Sequence, residues 1–106
     1  MLSSVTGEDK FQNNILKSGI PVLVDFWANW CSPCLAAEPM LEELSREYRG
    51  RAKFTKVNVE ENTSIAARYG VSSLPSMLIF KNGQPVRQIV GLKTKAGIRK
   101  TLDSVL

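Results

Sequence analysis

The sequence predicts an α/β fold, a mixed sheet covered by helices, and three observations carry that prediction. Short runs rich in β-branched and aromatic residues alternate with segments of helical periodicity. One of these runs is apolar at nearly every position, as in a strand buried on both faces. Near the end, an Asn-Gly pair joins two further runs in the manner of a two-residue hairpin.

Taken in order, Thr6 is placed to cap a first helix with Phe11, Ile15 and Leu16 on its apolar face, and Gly19 and Pro21 end it. Val22 to Ala28 reads as a central strand. Ala37, Met40, Leu41, Leu44 and Tyr48 recur at helical spacing, with Gly50 as the stop and Pro39 as an expected kink. Phe54 to Val59 reads as a strand and Ile65 to Tyr69 as a short helix ended by Gly70. Met77 to Phe80 and Val86 to Val90 flank the Asn82-Gly83 turn, and Pro85 suits the start of an edge strand. Ile98, Leu102 and Val105 mark a last helix, with Thr94 placed to cap it.

The chain has 106 residues, enough for one domain (1–106) with one hydrophobic core and too few for two. No apolar run reaches the roughly 20 residues needed to span a bilayer, and residues 1–8 lack the pattern of a signal peptide. The expected location is therefore the cytoplasm or, for the mature form of a longer precursor, an organelle stroma or matrix. The net charge of +4 comes from scattered lysines and arginines, which favours acidic protein partners over nucleic acid.

Cysteine usage narrows the chemistry further. There are 2 cysteines and no histidine. A stapled secreted scaffold needs more cysteines at wider spacing, and a zinc site needs about four ligands. Ser-His and Cys-His catalysis are excluded outright. A bound metal is therefore not expected; a redox pair remains.

The pair is Cys31-Ser32-Pro33-Cys34, placed where the central strand gives way to a helix. Free amides and the positive dipole end of a helix stabilise a thiolate, so Cys31 is the expected nucleophile. Cys34 lies one turn on along the same face and is expected to be more buried. Pro33 fits the first turn, where its missing N–H costs little. Two small core residues would read the same way in isolation; the strand-to-helix position is what favours a redox motif.

The segment Val24-Asp25-Phe26-Trp27-Ala28-Asn29-Trp30-Cys31-Ser32-Pro33-Cys34, with Pro39 downstream, resembles the thioredoxin family. Lys56-Val57-Asn58-Val59, Tyr69-Gly70-Val71, Leu74-Pro75-Ser76, Phe80-Lys81-Asn82-Gly83 and Val90-Gly91 match the family's pattern in order. The resemblance implies a central mixed sheet of five strands flanked by four helices. It implies that Cys31 attacks a client disulfide and that Cys34 resolves the mixed disulfide. It also implies a monomer with no bound cofactor, re-reduced by a thioredoxin reductase of the flavin-dependent or the ferredoxin-dependent, iron–sulfur type.

Other residues take their roles from the same resemblance. Asp25 interrupts the apolar strand, where burial should raise its pKa. The resemblance places it beneath Cys34 as a proton acceptor, with Lys56 as its partner; a purely structural ion pair is the alternative. It implies a cis bond before Pro75, facing the cysteines, where residues alone would favour an ordinary trans turn. Trp30, Pro33, Leu74, Val90, Gly91 and Leu92 match the family's apolar docking rim, and Trp27 a core position supporting it. Two departures stand out: Ser32 where the family usually has Gly, and Leu35 where a basic residue is common. Ser32 and Pro33 are thus the candidates for tuning the redox potential. The leading expectation is a protein-disulfide reductase. An oxidase or isomerase for secreted proteins and a scaffold with an incidental dithiol are the alternatives.

Overall fold

The computed structural model describes all residues, 1–106. Its elements are β1 (Leu2–Ser4), α1 (Glu8–Phe11), β2 (Val22–Trp27), α2 (Ser32–Glu47), β3 (Lys53–Asn58), α3 (Thr63–Arg68), β4 (Ser76–Lys81), β5 (Gln84–Val90) and α4 (Lys95–Asp103). A π-helical turn, Gln12–Leu16, continues α1. The strands form one sheet in the order β1-β3-β2-β4-β5. The pairs β1–β3 and β2–β3 are parallel; β2–β4 and β4–β5 are antiparallel. This is the mixed five-stranded sheet with four helices that the resemblance implied.

Alternation along β2 explains why that strand reads as an unbroken apolar run. Leu23 joins Phe54, Met77 and Ile79 against Leu41 and Leu44 of α2, its C-cap Tyr48, and Ile98 and Leu102 of α4. Val22, Val24 and Phe26 point the other way and join Val57, Leu78 and Phe80 against Phe11, Ile15 and Ile65. With a core on each side, both parities must be apolar. Asp25 shares the parity of Leu23, so it belongs to the face covered by α2.

The start of the chain differs from the sequence expectation. Thr6 does not cap α1; Gly7 holds the N-cap position at φ 93°, with no side-chain cap. Such a φ suits glycine, and the Gly7 N–H instead donates to Asn62 Oδ1 at 2.8 Å. The reason lies upstream. Val5 still hydrogen-bonds the Lys56 carbonyl as an extension of β1, so the chain must turn sharply at Gly7. The helical segment then closes at Leu16, before Gly19 and Pro21. Its wider last turn keeps Leu16 on the face of Phe11, packed on the same core.

The remaining punctuation follows expectation. Asn82 and Gly83 both have positive φ, 54° and 78°, the requirement of a two-residue hairpin turn. A Cβ at Gly83 would also come within 3.1 Å of the Leu16 carbonyl. Pro85 sits on the edge strand, beside a register shift at Ile79/Phe80. Thr94 caps α4 by accepting from the Gly97 N–H at 3.1 Å. Pro39 lies inside α2, which nevertheless runs on to Glu47.

Candidate active site

The strand-to-helix junction at the end of β2 places both sulfurs. The backbone leaves β2 at Trp27, turns through Asn29 and Trp30, and enters α2 at Ser32. Cys31 is the N-cap, in extended conformation, and its Sγ accepts from the Cys34 N–H at 3.3 Å. The sulfur thus does what a Ser or Asp oxygen usually does at a helix start: it takes one of the orphan amides. Any negative charge on Cys31 would meet those amides and the helix dipole. Pro33 falls in the first turn, where its missing N–H leaves nothing unmade.

Cys31 and Cys34 are joined in a disulfide, with Cα atoms 5.3 Å apart. Both are buried, at 5% and 2% exposure, so the expected contrast in burial is slight in this oxidised state. With Ala28 they form a small cluster against which Trp27, Val59 and Leu74 pack.

Around this cluster the surface is apolar. The Leu74–Pro75 bond is cis, as the resemblance implied, and Pro75 is buried. The Gly91 N–H donates to the Pro75 carbonyl at 2.9 Å, tying the end of β5 to the cis bond. Trp30, Val90 and Leu92 are exposed, at 68%, 46% and 54%. Pro33 and Leu35 are exposed as well, and Gly91 is half-buried. No cavity is lined by either cysteine.

Lys56, over the Trp27 ring, joins Asp25 and Glu38 in a charged group of three. Asp25 is 1% exposed, and its Oδ1 has no hydrogen-bond partner. Burial pushes its pKa up to about 7; Lys56 opposes the rise and Glu38 adds to it. The parallel register sets Asp25 opposite Lys56. Yet the Lys56 ammonium ion-pairs with Glu38, at 2.8 Å, and lies 4.1 Å from the centre of the Trp27 ring. The expected Asp25–Lys56 partnership is therefore one of proximity and field, while the direct ion pair belongs to Glu38. Sequence reasoning missed Glu38. Its signal was a charge four residues after Cys34, on the helix face that carries the resolving sulfur.

Residues 3–104 match the family model described as Thioredoxin. The chain belongs to the thioredoxin family. A thioredoxin from Chlorobaculum thiosulfatiphilum is 48% identical over 91% of this chain and 89% of its own length. Thioredoxin 1 from Synechococcus elongatus is 46% identical, covering 91% of this chain and 90% of its own. An M-type, chloroplastic thioredoxin from Chlamydomonas reinhardtii is 38% identical over 98% of this chain and 74% of its own. With the family and the Cys31–Cys34 disulfide in hand, the chemistry is dithiol–disulfide exchange. The chain is a thiol–disulfide oxidoreductase, and re-reduction by a thioredoxin reductase is the rule for thioredoxins. No helix is long and apolar enough to cross a membrane.

Proposed function

We propose that this thioredoxin is a general reductant of protein disulfides, acting through Cys31 as nucleophile and Cys34 as resolving thiol. The observation that carries the order is the N-cap position of Cys31, whose sulfur accepts a helix amide. In the reduced chain, the Cys31 thiolate attacks one sulfur of the client disulfide. A Cys31–client bond forms, and the departing client sulfur takes up a proton. Cys34 then gives its proton to Asp25 and attacks Cys31 Sγ. The internal disulfide forms, the second client sulfur leaves, and two electrons have passed to the client.

Further assignments belong to the same reading. Asp25, with a pKa near neutrality, is matched to taking a proton in that range. Trp30, Pro33, Leu74, Val90, Gly91 and Leu92 form the docking rim, and the Leu74 backbone beside Pro75 pairs with an extended client segment. Ser32 and Pro33 are the positions open to tuning the potential, with Ser32 contributing less than about 30 mV, and Lys56 biases Asp25 electrostatically. The chain acts as a monomeric single domain, in the cytoplasm or, as a mature processed form, in an organelle stroma or matrix. The chloroplastic relative supports the second compartment.

The test is reduction of a protein disulfide such as those of insulin, with either NADPH and a flavin reductase or reduced ferredoxin and an iron–sulfur reductase. Catalytic turnover is expected with at least one. Failure with both, while dithiothreitol still drives the reaction, would remove the reductase-coupled role. Failure with dithiothreitol as well would remove the general reductant.

A further inference from the structure

Two carboxylates, Asp25 and Glu38, stand around the one ammonium of Lys56. Lys56 stands opposite Asp25 across the β2–β3 pair. Glu38 projects from α2, four residues beyond Cys34. The ammonium goes to Glu38, at 2.8 Å, and makes no ion pair with Asp25. Its side chain is only 12% exposed and is further held over the Trp27 ring at 4.1 Å. The ion pair and the ring hold the ammonium on the Glu38 side, and no ion pair reaches Asp25. Asp25 Oδ1 is left without a partner in an enclosed site.

We propose that Glu38 is a positioning residue for Asp25: it holds the Lys56 ammonium away from that carboxyl and so keeps Asp25 able to accept a proton. The inference deepens the reading that Asp25 handles the proton of Cys34. β3 contributes Lys56 and α2 contributes Glu38; on the remaining side, β4 sets the apolar Met77 opposite it. Two charges therefore decide the balance. Paired with each other, they cancel much of their separate pull on Asp25. Were Glu38 absent, the ammonium would face Asp25 uncompensated, favour its carboxylate form and make it a weaker proton acceptor near neutrality. Glu38 is partly exposed, so its replacement leaves the core intact.

The experiment follows the Asp25 carboxyl directly, by 13C NMR titration of the oxidised full chain, in the parent, Glu38→Gln, Lys56→Met and the double variant. In the parent the midpoint is expected near about 7. Glu38→Gln should lower it by about one unit, because Lys56 turns to Asp25 and a like charge is lost. Lys56→Met should raise it. In the Lys56→Met background, Glu38→Gln should have below about half its effect in the parent. Glu38→Ala guards against a glutamine carbonyl still holding the ammonium, and should lower the midpoint at least as far. An unmoved midpoint in both Glu38 variants would overturn the proposal. So would an equal shift with and without Lys56, since Glu38 would then act as a bare charge. A parallel pH profile of mixed-disulfide release separates the two levels. If the midpoint moves as expected and the kinetic profile does not follow, the role of Asp25 fails while the placement of Lys56 by Glu38 stands.

Discussion

The two ends of helix α2 are built on opposite terms. At its C-terminal end every strong group is matched. Leu41, Leu44 and Tyr48 are buried in the larger core cluster, and the Tyr48 hydroxyl donates to Asp103 at 2.5 Å. Glu43 and Glu47 reach Lys95, and Glu47 also reaches Arg99, so α2 is fastened to α4. At its N-terminal end one oxygen of a buried carboxyl group lacks a partner, a nearby lysine is engaged elsewhere, and large apolar side chains face solvent. Chemistry sits where packing and pairing are incomplete; the finished end holds the unfinished one in place. The exposed ion pairs add little singly, and the buried contacts carry the anchoring.

The largest effect should come from cutting the unfinished end at its sulfurs. Cys31→Ser is expected to abolish reduction of protein disulfides. Cys34→Ser should still attack but accumulate Cys31–client adducts, visible as higher-mass species on non-reducing gels. If the reduced parent, alkylated at mild pH, is labelled first at Cys34, the two thiols have exchanged roles.

This division of α2 was only partly visible in the sequence. The strand entering the site, the helix leaving it, the hairpin and the α4 cap all announce themselves through local signals: apolar runs, periodicity, Asn-Gly, Thr94. β1 does not, because a three-residue strand with one half-buried side chain has no pattern to read. Thr6 misled because a good capping residue was overruled by an upstream strand extension ending at Gly7. Asp25 was conspicuous as a charge in an apolar run. Its relation to Lys56 and Glu38 depends on which of two carboxylates wins one ammonium, and that is a tertiary contest without a local signature.

A pair of substitutions of similar size and opposite sign sharpens the contrast. At the anchored end, Leu44→Ala should cost about 2–5 kcal/mol of stability and leave client reduction intact well below the melting temperature. At the reactive end, Asp25→Asn should stabilise the oxidised fold, by up to about 4 kcal/mol, and slow release of mixed disulfides. The sign follows from linkage. A carboxyl with its folded pKa near about 7 and its unfolded value near 3.8 binds more protons in the folded state between those pH values. Stability is then fully present below the lower value and is lost as pH rises through the upper. The gain from Asp25→Asn should therefore be small near pH 4, grow up to about pH 7 and level off above it. Denaturant titrations across this range decide the matter. A gain independent of pH would mean that Asp25 is not held neutral by burial.

Smaller effects are expected on the rim, where no bond is made or broken. Leu74→Lys or Leu92→Lys should slow client reduction several-fold at every salt concentration, because an apolar contact is lost. Raising salt should slow the parent only toward acidic partners, whose encounter with a chain of net charge +4 is screened beyond a Debye length of about 8 Å. Second-order rates across a salt series separate the two. Variants that reduce protein clients as fast as the parent would move the docking surface elsewhere.

The smallest effect is expected at Ser32, although it lies between the cysteines. The side chain is exposed and occupies the first position of α2. A serine there restricts the backbone more than glycine does, and its hydroxyl is within the reach of one turn of the helix start. Both influences act on a helix that the reduced and oxidised chains share, so most of each cancels from the difference between them. Ser32→Gly should therefore shift the redox potential by less than about 30 mV, equivalent to about 1.4 kcal/mol for this two-electron couple. Equilibration of parent and variant with a glutathione buffer measures the shift directly. A larger change would show that Ser32 discriminates between dithiol and disulfide. The unfinished end of α2 would then include the residue between the sulfurs as well as the charged group of Asp25, Lys56 and Glu38.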